Sequence, residues 1–184
     1  MNFINNLDDK IYNALFSIQS QGLTGTMISI SFCASTITLI GLVIALIFLL
    51  KEKKYSRFIA LNLLVSFLLN RLLKIIFRRQ RPGRIQFVTE KGYSFPSGHA
   101  MISFAFYGFI IYLIYKNVKN KKIKNTAIIL LSLLIFLIGI SRIYLGVHYV
   151  TDVLGGFVFG AIYLFVFIKY VYNANPKKKE IKKK

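Results

Sequence analysis

The sequence predicts an all-α polytopic membrane helix bundle, with five transmembrane helices and an N-terminal interfacial amphipathic helix. Three observations predict it. Hydrophobic residues make up 55% of the 184, and the mean hydropathy of +0.58 is too high for an ordinary soluble domain. The apolar residues gather into runs long enough to cross a bilayer. The cations, 25 Lys and Arg against 6 Asp and Glu, fall in short blocks between those runs. In a soluble chain such an excess would mark a nucleic-acid surface. Here it marks loops, and no nucleic-acid partner is expected.

The elements follow in order as a single domain over residues 1–184. In residues 3–20, Phe3, Ile4, Leu7, Ile11, Leu15 and Ile18 recur at three- and four-residue intervals, with Asp8, Asp9 and Lys10 between them. That period describes a helix lying in the membrane interface. The segment lacks the basic start of a cleavable signal peptide. Residues 26–50 carry no charge, and about 25 helical residues rise roughly 37 Å, ample for a hydrocarbon core of about 30 Å. Further spans are read at 58–77, 98–115, 125–141 and 151–168, followed by a Lys-rich tail at 173–184. The single cysteine, Cys33, lies in an apolar run and reads as a packing residue.

The loops predict orientation. Lys51, Lys53, Lys54 and Arg57 join the first two spans; Lys116, Lys119, Lys121, Lys122 and Lys124 join the third and fourth. The tail adds Lys177, Lys178, Lys179, Lys182, Lys183 and Lys184. With five spans these segments share one side, which the positive-inside rule makes cytoplasmic. The N-terminus is then outside. The loop at 78–97 breaks the pattern, since Arg78, Arg79, Arg81, Arg84 and Lys91 fall on the outer side. Cations placed against the topological preference ask for a function. Ser97, Gly98 and His99, and then Arg142, His148 and Asp152, fall on the same side.

Each cluster suits an oxyanion. Lys74, Arg78 and Arg81 are spaced by four and three residues, so a helix continuing to Pro82 would put them on one face. Such cations can neutralise a phosphate, Arg with a planar fork and Lys with a point charge. Arg71 and Arg79 read instead as side chains snorkelling to the interface. Pro96-Ser97-Gly98-His99 reads as a helix start, with Ser97 as a cap, Gly98 allowing close approach, and free N–H groups forming an anion cradle. His99 could donate a proton there. His148 and Asp152 are four residues apart, a helical spacing that brings a carboxylate to an imidazole able to act as base or nucleophile. Two His and one Asp could also bind zinc, but the surrounding Lys and Arg repel a divalent cation, so no metal is expected.

Lys74-x6-Arg81-Pro82, Pro96-Ser97-Gly98-His99 and Ser141-Arg142-x5-His148-x3-Asp152 together resemble the signature of the type 2 phosphatidic acid phosphatase superfamily. They match it in order over residues 74–152. The resemblance implies a lipid phosphatase needing no metal or other cofactor. His148 would be the nucleophile that forms a phosphohistidine, Asp152 would orient it, and His99 would protonate the leaving oxygen. Lys74, Arg81, Arg142, Ser97 and Gly98 would clamp the phosphate. It further implies a bacterial-type plasma membrane enzyme acting at the outer face, with membrane lipid and a lipid phosphate or pyrophosphate as partners. Undecaprenyl pyrophosphate is the first expected substrate, and phosphatidylglycerophosphate and phosphatidic acid are alternatives. Arg78, Arg79 and Arg84 could accommodate a second phosphate. The superfamily's vanadium haloperoxidases are soluble and larger, which the five spans oppose. A non-enzymatic transport protein would explain the spans but not the three motifs.

Overall fold

The computed structural model describes residues 2–83 and 85–173, with side chains from residue 8 onward. Arg84, the tail lysines from Lys177 onward, and the side chains of Phe3, Ile4 and Leu7 lie outside the described residues. Among those described, all regular structure is helical: α1 Asn2–Ser17, α2 Gln21–Phe32, α3 Thr36–Leu49, α4 Lys53–Phe77, α5 Gly98–Asn117, α6 Lys121–Tyr144 and α7 Val150–Val166. A π-helical turn, Phe167–Tyr172, extends α7. Helices α4, α5, α6 and extended α7 are each long and apolar enough to cross a membrane, and α2 with α3 passes the same test as a bent pair, which makes five candidate spans if the pair is counted as one.

The apolar run at 26–50, read as one continuous span, is broken. The two halves meet at 49°. Ser35 caps α3 by accepting from Thr38 N at 3.2 Å, and Thr38 Oγ1 donates to the Phe32 carbonyl at 2.8 Å. Hydroxyls thus satisfy backbone groups that a break inside hydrocarbon would otherwise strand. Elsewhere the helices outrun the sequence reading. Lys121, Lys122 and Lys124, read as loop, form the first turn of α6 because Asn120 accepts from Lys122 N and Ile123 N at 3.0 and 3.2 Å.

Helix α5 is the central element, packed against α4, α6 and α7. Its Ala100, Met101, Ala105, Phe106 and Phe109 are fully buried. Close approach to α7 depends on Gly156 and Gly160, four residues apart. A Cβ at Gly156 would stand 2.9 Å from the Ser97 carbonyl, and one at Gly160 would stand 2.9 Å from that of Met101. Small residues at this spacing let helix backbones meet where lipid offers no hydrophobic drive. The contact matters because Ser97 opens α5 and Asp152 sits in the first turn of α7.

The two ends of the bundle differ in chemistry. At one end Tyr55 Oη donates to Asn117 Oδ1 at 2.9 Å, close to the lysine-rich connections. The other end gathers the C-termini of α4 and α6, the N-termini of α5 and α7, and the segments between them. Helix α1 packs on α6 and α7, and its contacts lie at this second end. Its Ile11 and Leu15 face the protein while Asp9 and Lys10 are exposed. Asp8, in contrast, is 1% exposed.

Candidate active site

Helix α4 stops at Phe77, before Pro82 could end it, with Arg78 in the left-handed region at φ 47. Arg78 Nε turns back to the Ile75 carbonyl at 3.0 Å. The one-face arrangement of Lys74, Arg78 and Arg81 therefore does not form. The chain leaves the helix because its next groups bond across the bundle: Ser94 N donates to Arg79 O at 2.8 Å, and both Arg79 and Arg81 reach toward α7. Lys74 points into the same segment, donating to the Tyr93 carbonyl and, at 3.3 Å, to that of Ser94.

Arg81 lies across the loop before α7. Its Nε donates to Gly92 O at 3.0 Å, Nη2 to Lys91 O at 3.2 Å, and Nη1 to Val147 O at 2.9 Å. Nη1 also stands 3.3 Å from His148 Nε2. Arg142, 2% exposed on α6, donates from Nη1 to Ser31 Oγ and from Nη2 to Glu90 Oε1, while its Nε has no partner among the described residues. Glu90 Oε2 lies 3.8 Å from Arg81 Nη2, so one carboxylate bridges both arginines.

Ser97 precedes α5 with extended backbone (φ −60, ψ 120), yet its side chain makes no cap bond. The hydroxyl is buried without a hydrogen-bond partner among the described residues. Ser97 N donates to the Asp152 carbonyl at 3.0 Å, tying the two helix starts together. Gly98 faces Asn70 Oδ1, which a Cβ would meet at 3.1 Å. His99 is half-buried beside the cluster, within electrostatic range of Arg142, His148, Arg81 and Lys74. An orphaned hydroxyl, a helix start and converging cations make an incomplete shell that an oxyanion would complete.

His148 and Asp152 pair, but not along a helix. His148 lies in the loop, and Asp152 is the third residue of α7, accepting Tyr149 N at 2.9 Å in a capping arrangement. His148 Nδ1 stands 3.3 Å from Asp152 Oδ2 and 3.3 Å from Ser94 Oγ. Ser94 Oγ also donates to Asp152 Oδ2. A guanidinium only donates, so the Arg81 contact requires a bare His148 Nε2, and the proton sits on Nδ1 facing the carboxylate. Burial, with Arg142 and Arg81 nearby, pushes the His148 pKa down to about 4 against the opposing pull of Asp152. The ring is therefore neutral near pH 7, with an unprotonated nitrogen among cations: a nucleophile facing an anion site.

The described residues include no cluster of three His, Cys, Asp or Glu able to hold a metal ion. The motif residues Lys74, Arg81, Ser97, Gly98, His99, Arg142, His148 and Asp152 all lie at this one end. The sequence reading missed Ser94, Glu90 and Asp8, and it assigned Arg79 to snorkelling. Arg79 instead donates to Asp152 Oδ1 at 2.7 Å and to Asp8 Oδ2 at 3.2 Å. Glu90 carried a signal, as the one acid in a loop of cations. Asp8 carried one too: it stands four residues after Ile4 and three before Ile11, inside the apolar stripe.

The sequence profile of the PAP2 superfamily matches residues 55–176, which contain all three motifs. The chain belongs to the PAP2 superfamily. Within it, the chain is 33% identical over 169 residues to phosphatidylglycerophosphatase B of Bacillus subtilis, covering 90% of this chain and 83% of that protein. The crystal structure of a transmembrane PAP2-type phosphatidylglycerolphosphate phosphatase from Bacillus subtilis superposes with a TM-score of 0.85 at 31% identity, covering 96% of this chain and 90% of that one. Aquifex aeolicus LpxE gives 0.73 at 25% identity, covering 89% and 96%. The PAP2 chain is thus a multi-pass membrane protein and a lipid phosphatase, a phosphoric ester hydrolase.

Proposed function

We propose that this PAP2 phosphatase hydrolyses the phosphomonoester of phosphatidylglycerophosphate, without a metal, through a phosphohistidine. The observation that carries the chemistry is the bare Nε2 of His148, held by Asp152 behind it and Arg81 beside it. Nε2 attacks phosphorus and the bond to the lipid oxygen breaks, with His99 giving that oxygen its proton. Water then attacks phosphorus, His99 takes the water's proton, the phosphorus–nitrogen bond breaks with its electron pair returning to Nε2, and inorganic phosphate leaves. Arg81, Arg142 and Lys74, with Ser97 Oγ and the N–H groups opening α5, neutralise the charge that builds on the equatorial oxygens.

The choice of lipid rests on the Bacillus subtilis relatives, whose names favour this alternative over undecaprenyl pyrophosphate, the first expectation. The loop agrees with a single phosphate. Of the cations that could meet a second one, Arg78 folds back on Ile75 and Arg79 is held by Asp8 and Asp152, while Arg84 is outside the described residues. Phosphate release from phosphatidylglycerophosphate, undecaprenyl pyrophosphate and phosphatidic acid, with His148→Ala as control, tests the reading. The highest kcat/KM is expected on phosphatidylglycerophosphate; a higher value on the pyrophosphate would replace this substrate.

An extracytoplasmic site is supported by the positive-inside rule, since the lysine-rich connections lie at the opposite end of the bundle. The N-terminus is then outside and the C-terminus cytoplasmic. Cysteines introduced at Gly92 and Tyr149 should react with an impermeant reagent on intact cells, and one at Asn117 should not. The reverse labelling would invert the orientation.

A further inference from the structure

We propose that Asp8 and Arg79 are positioning residues for the reaction, a strut from α1 that holds the Asp152 carboxylate and through it the His148 ring. The proposal rests on the reading that His148 attacks phosphorus and Asp152 orients it. Neither Asp8 nor Arg79 is one of the motif positions.

The strut begins with a charge in an apolar place. Asp8 is 1% exposed, so its carboxylate needs strong partners. Its Oδ1 accepts Thr151 N at 3.1 Å, one of the free N–H groups in the first turn of α7. Its Oδ2 accepts Thr151 Oγ1 at 2.9 Å and Arg79 Nη2 at 3.2 Å. Helix α1 is thereby fixed to the start of α7, next to the residue that orients the nucleophile.

Arg79 carries the strut onward. Its Nη1 donates to Asp152 Oδ1 and to Thr151 Oγ1, each at 2.7 Å. Its guanidinium carbon lies 4.0 Å from the centre of the Tyr149 ring, which limits how the planar fork can turn. The division of labour on Asp152 is the decisive geometry. Oδ2 serves His148, Ser94 and Tyr149 N, whereas Oδ1 takes Arg79. A carboxylate held at one oxygen can rock about its last torsion, which is a broad well. Held at both, it presents Oδ2 to His148 Nδ1 in one orientation.

Arg79 works on the face of Asp152 turned away from the imidazole, so it acts through Asp152 and not on the phosphate. Its loss should weaken the chemical step far more than anion binding. A small misplacement of a reacting group can lower a rate about a hundredfold while binding contacts persist. Both acidic partners of Arg79 are buried, so the guanidinium also supplies a positive charge beside each of them.

The test uses the full-length chain in detergent, with dihexanoyl phosphatidylglycerophosphate as substrate and orthovanadate as a phosphate mimic. Arg79→Met should lower kcat by about a hundredfold, with KM and the vanadate Kd changed less than about threefold. Asp8→Asn should lower kcat by about tenfold, and the double variant should be no slower than Arg79→Met, because the two act in series. Arg79→Lys should recover part of the kcat, since its point charge can meet one carboxylate but not span both. If Arg79→Met does not fold, Asp8→Asn and Arg79→Lys carry the same split between kcat and KM. An unchanged kcat, or vanadate binding lost in step with kcat, would overturn the strut. Activity surviving in His148→Ala would overturn the phosphohistidine reading instead, whatever Arg79 does.

Discussion

Arg81 Nη1 lies 3.3 Å from His148 Nε2 while donating to the neighbouring Val147 carbonyl at 2.9 Å. The guanidinium therefore marks the bare nitrogen of the imidazole and fixes its position by a backbone contact one residue away. It also helps keep that nitrogen unprotonated. Burial lowers the His148 pKa most, Arg142 and Arg81 lower it further, and the Asp152 bond raises it, leaving about 4.

The nucleophile is the neutral ring, so the competent fraction rises as pH increases through about 4 and is complete above it. The His148 limb in a kcat/KM profile should therefore lie near that pH. Removing a nearby cation by Arg81→Gln should move the limb to higher pH; removing the anion by Asp152→Asn should move it lower. Residual rates across pH in each variant check both signs. A limb that moves the same way in both contradicts the electrostatic account.

Glu90 occupies the arginine pair that a phosphate would need, meeting Arg142 through Oε1 and approaching Arg81 to 3.8 Å through Oε2. An incoming anion must displace this carboxylate or sit beside it against repulsion. Glu90→Gln keeps an acceptor for Arg142 but removes the charge. It should lower KM by about tenfold, the effect of roughly 1.4 kcal/mol, with kcat little changed. Vanadate inhibition titrations provide an independent reading of the same gain.

The contact of α5 with α7 sets the distance between Ser97 and Asp152. Gly156→Ala would put a Cβ 2.9 Å from both the Ser97 carbonyl and the Ala100 Cβ, with the Met101 amide at 3.2 Å. Backbone cannot yield as a side chain would, so a loss of about 1–3 kcal/mol is expected. Activity should fall with it, since the helix starts separate. Gly41→Ala, with nothing within 4 Å of the new Cβ, should leave thermal stability and activity near those of the parent.

Much of the candidate site is legible because the proposed chemistry requires particular residue types at fixed spacing. Lys74, Arg81, Ser97, His99, Arg142, His148 and Asp152 could be named from the chain alone, and the bundle places them at one end. What holds them was harder to read. Asp8 reaches Thr151 and Arg79 across a long stretch of sequence, and no periodicity reports such a contact. The helix continued through Arg78 to Pro82, which would align Lys74, Arg78 and Arg81, does not form. Tertiary bonds from Arg79 and Arg81 end the helix first. The break between α2 and α3 escaped because an uncharged run looks continuous, whereas Ser35 and Thr38 supply the hydroxyls that make a bend tolerable.

The central claim is that His148 Nε2 takes the phosphoryl group. Its most direct measurement is a rapid quench into alkaline detergent during turnover of lipid carrying a radiolabelled terminal phosphate, followed by mapping of the label on the protein at alkaline pH. The expected result is an acid-labile, base-stable phosphoryl group on His148, absent in His148→Ala. Label-free protein from an actively turning-over enzyme, or label that persists in His148→Ala, would contradict it.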